Sequence, residues 1–375
     1  MVRVLVVQTI VPHYRVPVFA ALNRVPGIEL WLAFGDERRK TALTSVSVEG
    51  VRTIPLRNYF LGPRGRFVFQ AGFLCKVAMR KYDAVIAEFD LRNISNLMAF
   101  VLAKLQGVPF IWWGHGIGHS QWRWVADLRR FLVQLGSAVI VYSKRGADAL
   151  IQRGVDPEKV FVAANTIDIS YPLKLSTMAS QTSRKHLLFV GRLVPDKRID
   201  VLIKSFAKVA DQFADTDFFI VGDGPERPRL ERLSSSLGLD DRCHFVGALY
   251  DEGALSSYFL QALLFISAGP MGLAVVHSFA YGVPVVAHRY QAHSPEIEYL
   301  AHGVNGLLYD SDTPDEIAGF LKRVLLSESQ LRQLSAGALR TAQSLTLDRM
   351  VQGFIDAIRY ACGNSSLSFG SGVGC

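Results

Sequence analysis

A short apolar run that ends at a loop with two cations, and is followed at once by a helical pattern, constrains the fold more than any other segment. Residues 187–190 have the length and composition of a buried strand. Over residues 199–213, apolar side chains recur every three or four positions, as on a helix with one buried face. Arg192 and Lys197 therefore lie between a strand and a helix, where open α/β sheets bind ligands. A guanidinium beside an ammonium there favours a phosphate or diphosphate ligand.

Strand and helix patterns alternate along the chain, which predicts two doubly wound α/β domains with parallel sheets. The 375 residues are enough for two domains with separate cores. The predicted domains cover residues 1–172 and 187–345, joined by a polar linker at 173–186. A periodic helix follows at about 346–361, and the sequence leaves open whether it packs back on the first domain. We expect residues 362–375 to form a disordered tail.

Ten strands are predicted from short apolar runs. They lie near residues 2–8, 28–34, 84–88, 109–113, 138–142, 187–190, 218–221, 243–246, 264–267 and 283–287. The loops at their carboxyl ends are the places to search for a ligand site.

The positive charge of the chain is concentrated in its first half. Residues 1–172 hold 22 Lys and Arg against 12 Asp and Glu, a net charge of +10, whereas the whole chain carries +8. Nucleic acid, a membrane surface or a lipid diphosphate would each suit such a half. Residues 57–81 and 121–132 mix cations with aromatic side chains. They are interpreted either as amphipathic core helices or as segments at an anionic membrane surface, and the charge favours the surface.

Composition excludes several classes of protein. Half of the residues are hydrophobic, so the chain is globular. No apolar run approaches the roughly 18 residues of a membrane-spanning helix, and the first residues lack the pattern of a signal peptide. The four cysteines lie far apart, which indicates neither a zinc site nor a disulfide framework. We therefore expect a cytoplasmic protein without a metal site.

Two glycine-rich loops follow other predicted strands. Residues 222–225 read Gly-Asp-Gly-Pro, and residues 269–273 read Gly-Pro-Met-Gly-Leu at the start of a helix. Glycine lets a ligand approach the backbone, and a helix start presents N–H groups to an anion or a sugar hydroxyl. Either loop alone is compatible with an ordinary turn. Together with Arg192 and Lys197, they predict one ligand site at the edge of the second sheet.

These motifs resemble those of the retaining glycosyltransferases of family 4. The resemblance is carried by Gly191-Arg192-x4-Lys197, by Gly-Asp-Gly-Pro at 222–225, and by Gly-Val-Pro-Val-Val at 282–286 after a Gly-Leu helix. It implies the GT-B fold, in which two Rossmann-like domains face each other across a cleft. The first domain would take the acceptor and the second the nucleotide sugar. It also implies no metal and no cofactor, with a nucleoside diphosphate sugar as co-substrate.

The resemblance implies roles for individual residues. Arg192 and Lys197 would stabilise the leaving diphosphate, where charge develops in the transition state. His115 is interpreted either as a polar active-site group facing the donor sugar or as a histidine satisfied by nearby backbone. His13 and Arg15 follow the first strand and would contact the acceptor or a phosphate. The donor-binding set would be Gly191, Gly222, Gly224, Gly269, Met271, Gly272, Leu273, His277 and Glu296.

The chain departs from the family at one pair of positions. The family usually has two glutamates eight positions apart, which correspond to Gly269 and His277 here. The first contacts the donor sugar and the second the ribose. His277 can still hydrogen-bond a ribose hydroxyl, whereas Gly269 offers only backbone. Glu296 or Glu298 could supply the missing carboxylate.

The predicted function is metal-independent, retaining transfer of a sugar from a nucleoside diphosphate sugar to a glycan or lipid-linked acceptor. The setting would be bacterial-type surface polysaccharide or glycolipid assembly, at the inner face of the membrane. Because the glutamate pair is absent, a catalytically silent nucleotide-sugar-binding subunit is the alternative. A Rossmann oxidoreductase would need a G-x-G-x-x-G after the first strand, where this chain has no glycine. Nucleic-acid binding is not expected, since no basic recognition helix is present.

Overall fold

The structure, a computed structural model, describes residues 1–36, 45–78, 81–116, 123–178, 184–289 and 293–363. The chain divides into two compact units. The first unit contains Met1–Asp168 and the segment from Leu347 onward, and the second unit contains Ile169–Thr346. Each unit has its own sheet of mainly parallel strands, so the prediction of two parallel α/β units is confirmed.

The first unit alternates strands and helices. Up to Asp168 its elements are β1 (Val2–Gln8), α1 (Val16–Asn23), β2 (Ile28–Gly35), β3 (Arg52–Leu61), β4 (Phe67–Ala71), α2 (Phe73–Ala78), β5 (Ala84–Glu88), α3 (Ile94–Leu105), β6 (Phe110–Gly114), α4 (Arg123–Leu135), β7 (Ala138–Val141), α5 (Lys144–Ile151) and β8 (Val160–Val162). Within the described residues the strands form one eight-stranded sheet in the order β4-β3-β2-β1-β5-β6-β7-β8. Neighbouring strands are parallel except β3 and β4, which form an antiparallel hairpin.

The second unit repeats this architecture with a smaller sheet. Its elements are α6 (Ser170–Met178), β9 (His186–Val190), α7 (Ile199–Ala207), β10 (Phe218–Val221), α8 (Arg227–Ser236), β11 (Cys243–Gly247), α9 (Glu252–Gln261), β12 (Ala262–Ser267), α10 (Ala274–Ala280), β13 (Val285–His288), β14 (Gly306–Tyr309), α11 (Pro314–Leu325) and α12 (Glu328–Ala342). The described strands pair in parallel in the order β11-β10-β9-β12-β13-β14. The strand order reverses between β9 and β12, and such a switch point is where doubly wound sheets bind ligands.

The last helix, α13 (Leu347–Cys362), belongs to the core of the first unit. Trp112 and Trp113 of β6 point to opposite faces of the sheet, as successive strand residues do, and both are fully buried. On one face, Trp113 packs against Phe354 of α13 with 4.8 Å between ring centroids. A Cβ at Gly353 would lie 2.4 Å from the carbonyl oxygen of Val162, so α13 meets β8 backbone to backbone. The packing that the sequence left open is thus on the first unit.

The predicted linker at 173–186 is wrong in its position. The boundary between the units falls at Asp168 and Ile169, and α6 already belongs to the second unit. Pro172 and Ser176 are buried, because α6 packs one side against α10. The linker prediction over residues 179–183 lies outside the described residues. Likewise α13 continues to Cys362, and the tail predicted after it falls outside the described part from residue 364 onward.

The basic and aromatic segment at 57–81 is not the amphipathic helix that one interpretation required. Most of it forms the β3–β4 hairpin followed by the short helix α2. Along β3 the less exposed positions are Ile54, Leu56, Asn58 and Phe60, and the last two lie in this segment, so its period is two and not 3.6. The second such segment, 121–132, is helical from Arg123 onward in α4, and its first two residues lie outside the described part.

Candidate active site

The loop after β9 carries the two cations that the sequence singled out. Arg192 is exposed, and Lys197 ends a short 3-10 turn and is partly buried. The Lys197 ammonium donates a hydrogen bond to the carbonyl oxygen of Pro270, in the loop after β12. Burial lowers the pKa of Lys197, and the charge of Arg192 lowers it further against the opposing effect of Asp196. Their charges repel, which shows that Arg192 and Lys197 lie near each other at the carboxyl end of β9.

Gly269 lies in backbone contact with the Lys197 turn. A Cβ at this position would stand 2.2 Å from the carbonyl oxygen of Asp196 and 2.7 Å from Cα of Lys197. Gly269 is not among the glycines with positive φ, so the need for glycine here is one of space. The position at which the resemblance implies a glutamate therefore has no room for a side chain, and the two loops pack directly against each other.

Gly222 and Gly224 are also required by neighbouring backbone. A Cβ at Gly222 would lie 1.8 Å from the carbonyl oxygen of Gly191, and one at Gly224 would lie 2.3 Å from that of Leu193. The amide of Gly222 donates to the carbonyl oxygen of Gly247 at 2.8 Å, which connects this loop to the end of β11. The glycines thus allow close packing of adjacent loops. Their predicted contact with a donor stays a prediction.

His293 holds the glycine-rich loop before α10, and sequence reasoning did not identify it. Its Nδ1 accepts a hydrogen bond from the amide of Met271 at 2.9 Å. Its Nε2 lies 2.8 Å from the carbonyl oxygen of His288 and donates to it, so the ring is neutral. Burial lowers the pKa of His293, and the nearby charge of Lys197 acts in the same direction. No motif marks this residue; it is one His in a loop 22 positions beyond Met271.

Glu296 reaches the same loop. It is buried in the 3-10 turn Pro295–Tyr299, which follows β13. A Cβ at Gly272 would lie 3.6 Å from Oε2 of Glu296 and 3.4 Å from Oγ of Ser294. Of the two glutamates considered as substitutes, Glu296 is therefore the one placed beside the glycine-rich loop. Leu273, the next residue, is the N-cap position of α10 and is partly buried.

His277 is turned toward a carboxylate of the second unit. Its Nε2 lies 2.8 Å from Oε1 of Glu252, at the start of α9, and the Tyr281 hydroxyl donates to the same oxygen at 2.6 Å. The imidazole also packs on the ring of Phe259, with 4.7 Å between centroids. Burial by itself would raise the pKa of Glu252, but hydrogen bonds from His277 and Tyr281 outweigh it and lower the pKa. A charged carboxylate thus stands beside His277, the position at which the resemblance implies a glutamate.

In the first unit, His13 and His115 lie at the carboxyl edge of the sheet. His13 begins the 3-10 turn after β1, and His115 follows β6; both are exposed. The His115 ring lies 4.8 Å from the ring of Tyr142, which follows β7. Because β1, β6 and β7 run in parallel, these residues share the edge where such sheets bind ligands.

Arg15 lies in the core of the first unit, and its contact with the acceptor or a phosphate stays a prediction. Its side chain is 6% exposed. The guanidinium carbon lies 5.2 Å from the ring centroid of Trp113 and 5.1 Å from that of Tyr142, and Nη1 approaches the Met350 sulfur at 3.8 Å. The cation is held by aromatic faces, which stabilise a desolvated guanidinium by about 2 kcal/mol. Arg15 therefore supports the tryptophan behind the edge and does not line it.

The described residues contain no metal centre. Within the part of the chain that the structure describes, no three His, Cys, Asp or Glu side chains come together as a metal site requires. Asp217, from an Asp-Thr-Asp sequence before β10, accepts from Arg242 and pairs with His244, each at 3.0 Å. Among the described residues, no helix combines the length and hydropathy needed to cross a membrane.

Two doubly wound, mainly parallel sheets, one with paired cations and tightly packed glycine loops at its switch point, are typical of enzymes that bind phosphorylated ligands. Comparison with known proteins identifies the class further. A model of glycosyl transferases group 1 matches residues 177–340, and a model of glycosyltransferase family 4 matches residues 24–171. The chain is 30% identical to an alpha-D-kanosaminyltransferase of Streptomyces kanamyceticus over 274 residues, which are 67% of this chain and 70% of that protein. The chain belongs to the glycosyltransferases.

Other comparisons agree on family and fold. An exopolysaccharide phosphotransferase of Streptomyces coelicolor is 31% identical over 176 residues, which are 46% of this chain but 18% of that protein. HepE of Anabaena, solved in complex with UDP, superposes with a TM-score of 0.69 at 19% identity, covering 94% of this chain and 98% of that one. At this identity the likeness shows the fold alone, and the fold is GT-B. The predicted fold class and enzyme class are confirmed.

Proposed function

We propose that this glycosyltransferase is retaining and metal-independent, and that it transfers a sugar from a nucleoside diphosphate sugar to a glycan or lipid-linked acceptor. Surface polysaccharide or glycolipid assembly of the bacterial type is the proposed setting. The observation that carries the proposal is the pair Arg192 and Lys197 at the switch point of the second sheet. The UDP and UDP-glucose complexes of HepE support a nucleotide sugar as donor.

The two cations would act on the leaving group. As the sugar–oxygen bond breaks, negative charge develops on the diphosphate, and a preorganised guanidinium and ammonium stabilise it without a metal ion. Lys197 is held by Pro270, and the contact at Gly269 fixes the turn around it. Burial and the charge of Arg192 both disfavour the charged form of Lys197 in the free protein. A bound diphosphate would relieve that repulsion, and this charge complementarity favours binding.

Two carboxylates are available to replace the family's glutamate pair. Glu296, beside Gly272, would take the role toward the donor sugar that Gly269 cannot fill. Glu252 would take the role toward the ribose, since His277 and Tyr281 both donate to its Oε1. Its side chain is 38% exposed, and its Oε2 would meet the ribose hydroxyl. His277 would then position Glu252 and not bind the ribose itself.

The first unit would receive the acceptor. His13 and His115 stand exposed at the carboxyl edge of its sheet, and residues 1–172 carry a net charge of +10 in a chain of net charge +8. A lipid diphosphate or another anionic acceptor suits this charge. His115 would be a polar group near the reacting sugar. The proposed location is the cytoplasmic face of a membrane, reached through the surface of the first unit.

A thermal-shift screen with UDP-, GDP-, ADP- and dTDP-sugars tests the donor site. A binding donor raises the melting temperature, and Arg192→Ala should abolish both that rise and turnover. Lys204→Ala is the matched control, because it removes an exposed cation of α7 and should change neither. Full donor binding and turnover in Arg192→Ala would contradict the diphosphate role.

Two further measurements address the mechanism. NMR of the initial product should show the anomeric configuration of the donor, and an inverted product would refute retention. Turnover should survive prolonged dialysis against a chelator, whereas a loss that Mg²⁺ or Mn²⁺ restores would refute metal independence.

The second candidate is a catalytically silent subunit that binds nucleotide sugars. The observation in its favour is the lack of space for any side chain at Gly269. It predicts a donor-induced thermal shift without hydrolysis or transfer of the sugar. Transfer to any acceptor would exclude it.

A further inference from the structure

The outward side of α4 is apolar. Trp124, Leu128, Phe131 and Leu135 recur every three or four residues and therefore lie on one stripe of the helix. All four are exposed, with Trp124 at 63% and Phe131 at 57%. The opposite side of α4 already packs into the core of the first unit through Ala126 and Val133. Among the described residues of the first unit, nothing covers this exposed stripe.

Helix α3 presents a second apolar stripe next to the first. Met98, Val101 and Leu105 are exposed, Leu105 by 77%, while Ala99, Phe100 and Ala103 face the core. Trp112 of β6 lies between the two helices. Its ring packs 5.1 Å from that of Phe100 in α3, and its Nε1 donates to the carbonyl oxygen of Leu132 in α4 at 3.0 Å. The helices thus lie side by side over β6.

We call these seven exposed side chains the α3–α4 apolar face; they are Met98, Val101, Leu105, Trp124, Leu128, Phe131 and Leu135. Single exposed apolar residues are common on soluble proteins and need no explanation. Seven large ones on two helices that flank Trp112 form an apolar surface of the kind that binds another molecule. Polar residues would serve equally well for folding at these positions, so the face points to a partner.

The charges around this face select the partner. Lys104 of α3 and Arg130 of α4 are exposed beside the stripes, and Asp127 is the only acidic residue in either helix. The surrounding unit carries +10, so an anionic surface is attracted to it. Exposed Trp and Phe flanked by cations are typical of helices that lie in the interface of a bilayer.

We propose that the α3–α4 apolar face docks on an anionic lipid bilayer, with both helices lying in the plane of the interface. The inference gives the proposed membrane location a defined surface. Trp124 and Phe131 enter the boundary between headgroups and acyl chains, while Lys104 and Arg130 meet lipid phosphates. The vesicle measurement below contains no nucleotide sugar, so its outcome is independent of the donor site.

Co-sedimentation with vesicles tests this. The full chain is mixed with vesicles of phosphatidylethanolamine and phosphatidylglycerol, or with neutral vesicles of phosphatidylcholine. We expect binding to the anionic vesicles that weakens with added salt. The double variant Trp124→Ser/Phe131→Ser should lose at least tenfold in partitioning, and Val101→Ser/Leu105→Ser should lose a similar amount. Because these side chains are exposed, both variants should melt like the wild-type chain.

The matched control is Tyr250→Ser/Leu326→Ser, which removes two exposed apolar side chains of the second unit. It should bind vesicles like the wild-type chain. Equal partitioning of the Trp124/Phe131 variant and the wild-type chain would overturn the proposal. So would equal binding of the wild-type chain to neutral vesicles. A wild-type dimer in light scattering that the Trp124/Phe131 variant converts to a monomer would assign the face to a second copy and also overturn it.

Discussion

Placing at position 269 the glutamate that the resemblance implies should damage this enzyme. A Cβ there would stand 2.2 Å from the carbonyl oxygen of Asp196 and 2.7 Å from Cα of Lys197. Both neighbours are backbone atoms, which cannot rotate away as the end of a side chain can. Gly269→Glu must therefore push the Lys197 turn away from the loop after β12. The hydrogen bond from Lys197 to Pro270 should break with it.

The magnitude follows from the cost of overpacking. Extra atoms in a packed site cost about 1–3 kcal/mol, and two backbone contacts place this variant near the upper end. A unit of this size loses about 2–4 °C of Tm per kcal/mol, so Tm should fall by about 6–12 °C. Donor affinity should fall as well, since Lys197 leaves its position beside Arg192. Differential scanning fluorimetry with and without the donor measures both effects.

The control is the same substitution at a glycine with space. A Cβ at Gly319 in α11 meets only Nη1 of Arg323, at 3.8 Å. Gly319→Glu should be neutral or stabilising by about 1 kcal/mol, because glycine is a poor helix former and Glu pairs with Arg four positions on. A Gly269→Glu chain with wild-type Tm and donor affinity, or with higher turnover, would refute the packing argument.

Three other predictions follow from single contacts. Burial lowers the pKa of His293, so the folded chain favours the neutral ring. The stability gained from the neutral ring is complete above about pH 6.5 and is lost as the pH falls toward the lowered pKa. Tm should therefore drop in that range, and a His293→Asn chain should show a flatter dependence of Tm on pH. Tyr281→Phe removes a hydrogen bond to the charged Glu252, worth about 1.5–3 kcal/mol. The variant should raise the KM for the donor more than it lowers kcat. An unchanged KM would show that Glu252 does not belong to the donor site. Arg15→Met should lower Tm, because the cation–π contacts are lost, and should leave the KM for the acceptor unchanged. A raised KM for the acceptor at constant Tm would instead show that Arg15 contacts the acceptor.

Local patterns predicted the centre of each sheet well. The strands β5, β6 and β12 are short apolar runs bounded by turn residues, because a strand covered on both faces is apolar throughout. The strands missing from the prediction were β3, β4, β8 and β14, which lie at or near sheet edges. Edge strands are partly solvated and more polar, so their composition resembles that of a loop. Residues 57–71 were missed for this reason.

The cations of the candidate site were predictable, and their supporting residues were not. Arg192 and Lys197 are separated by one turn between a strand and a helix, so they are recognised from consecutive residues. Glu252 and His277 are 25 positions apart, and Met271 and His293 are 22 apart. Neither pair has a spacing that any local pattern favours. Only the parallel sheet, which gathers the loops after β11, β12 and β13 at one edge, brings them together.

The sequence by itself determined the fold class, the family and the cationic centre of the donor loop, because each depends on residues that are close along the chain. Tertiary structure decided where the chain divides, that α13 returns to the first unit, and that Arg15 is buried between aromatic rings. It also decided that Gly269 has no space for a side chain. These properties depend on which remote segments of the chain come into contact, because excluded volume and burial arise only where segments pack together.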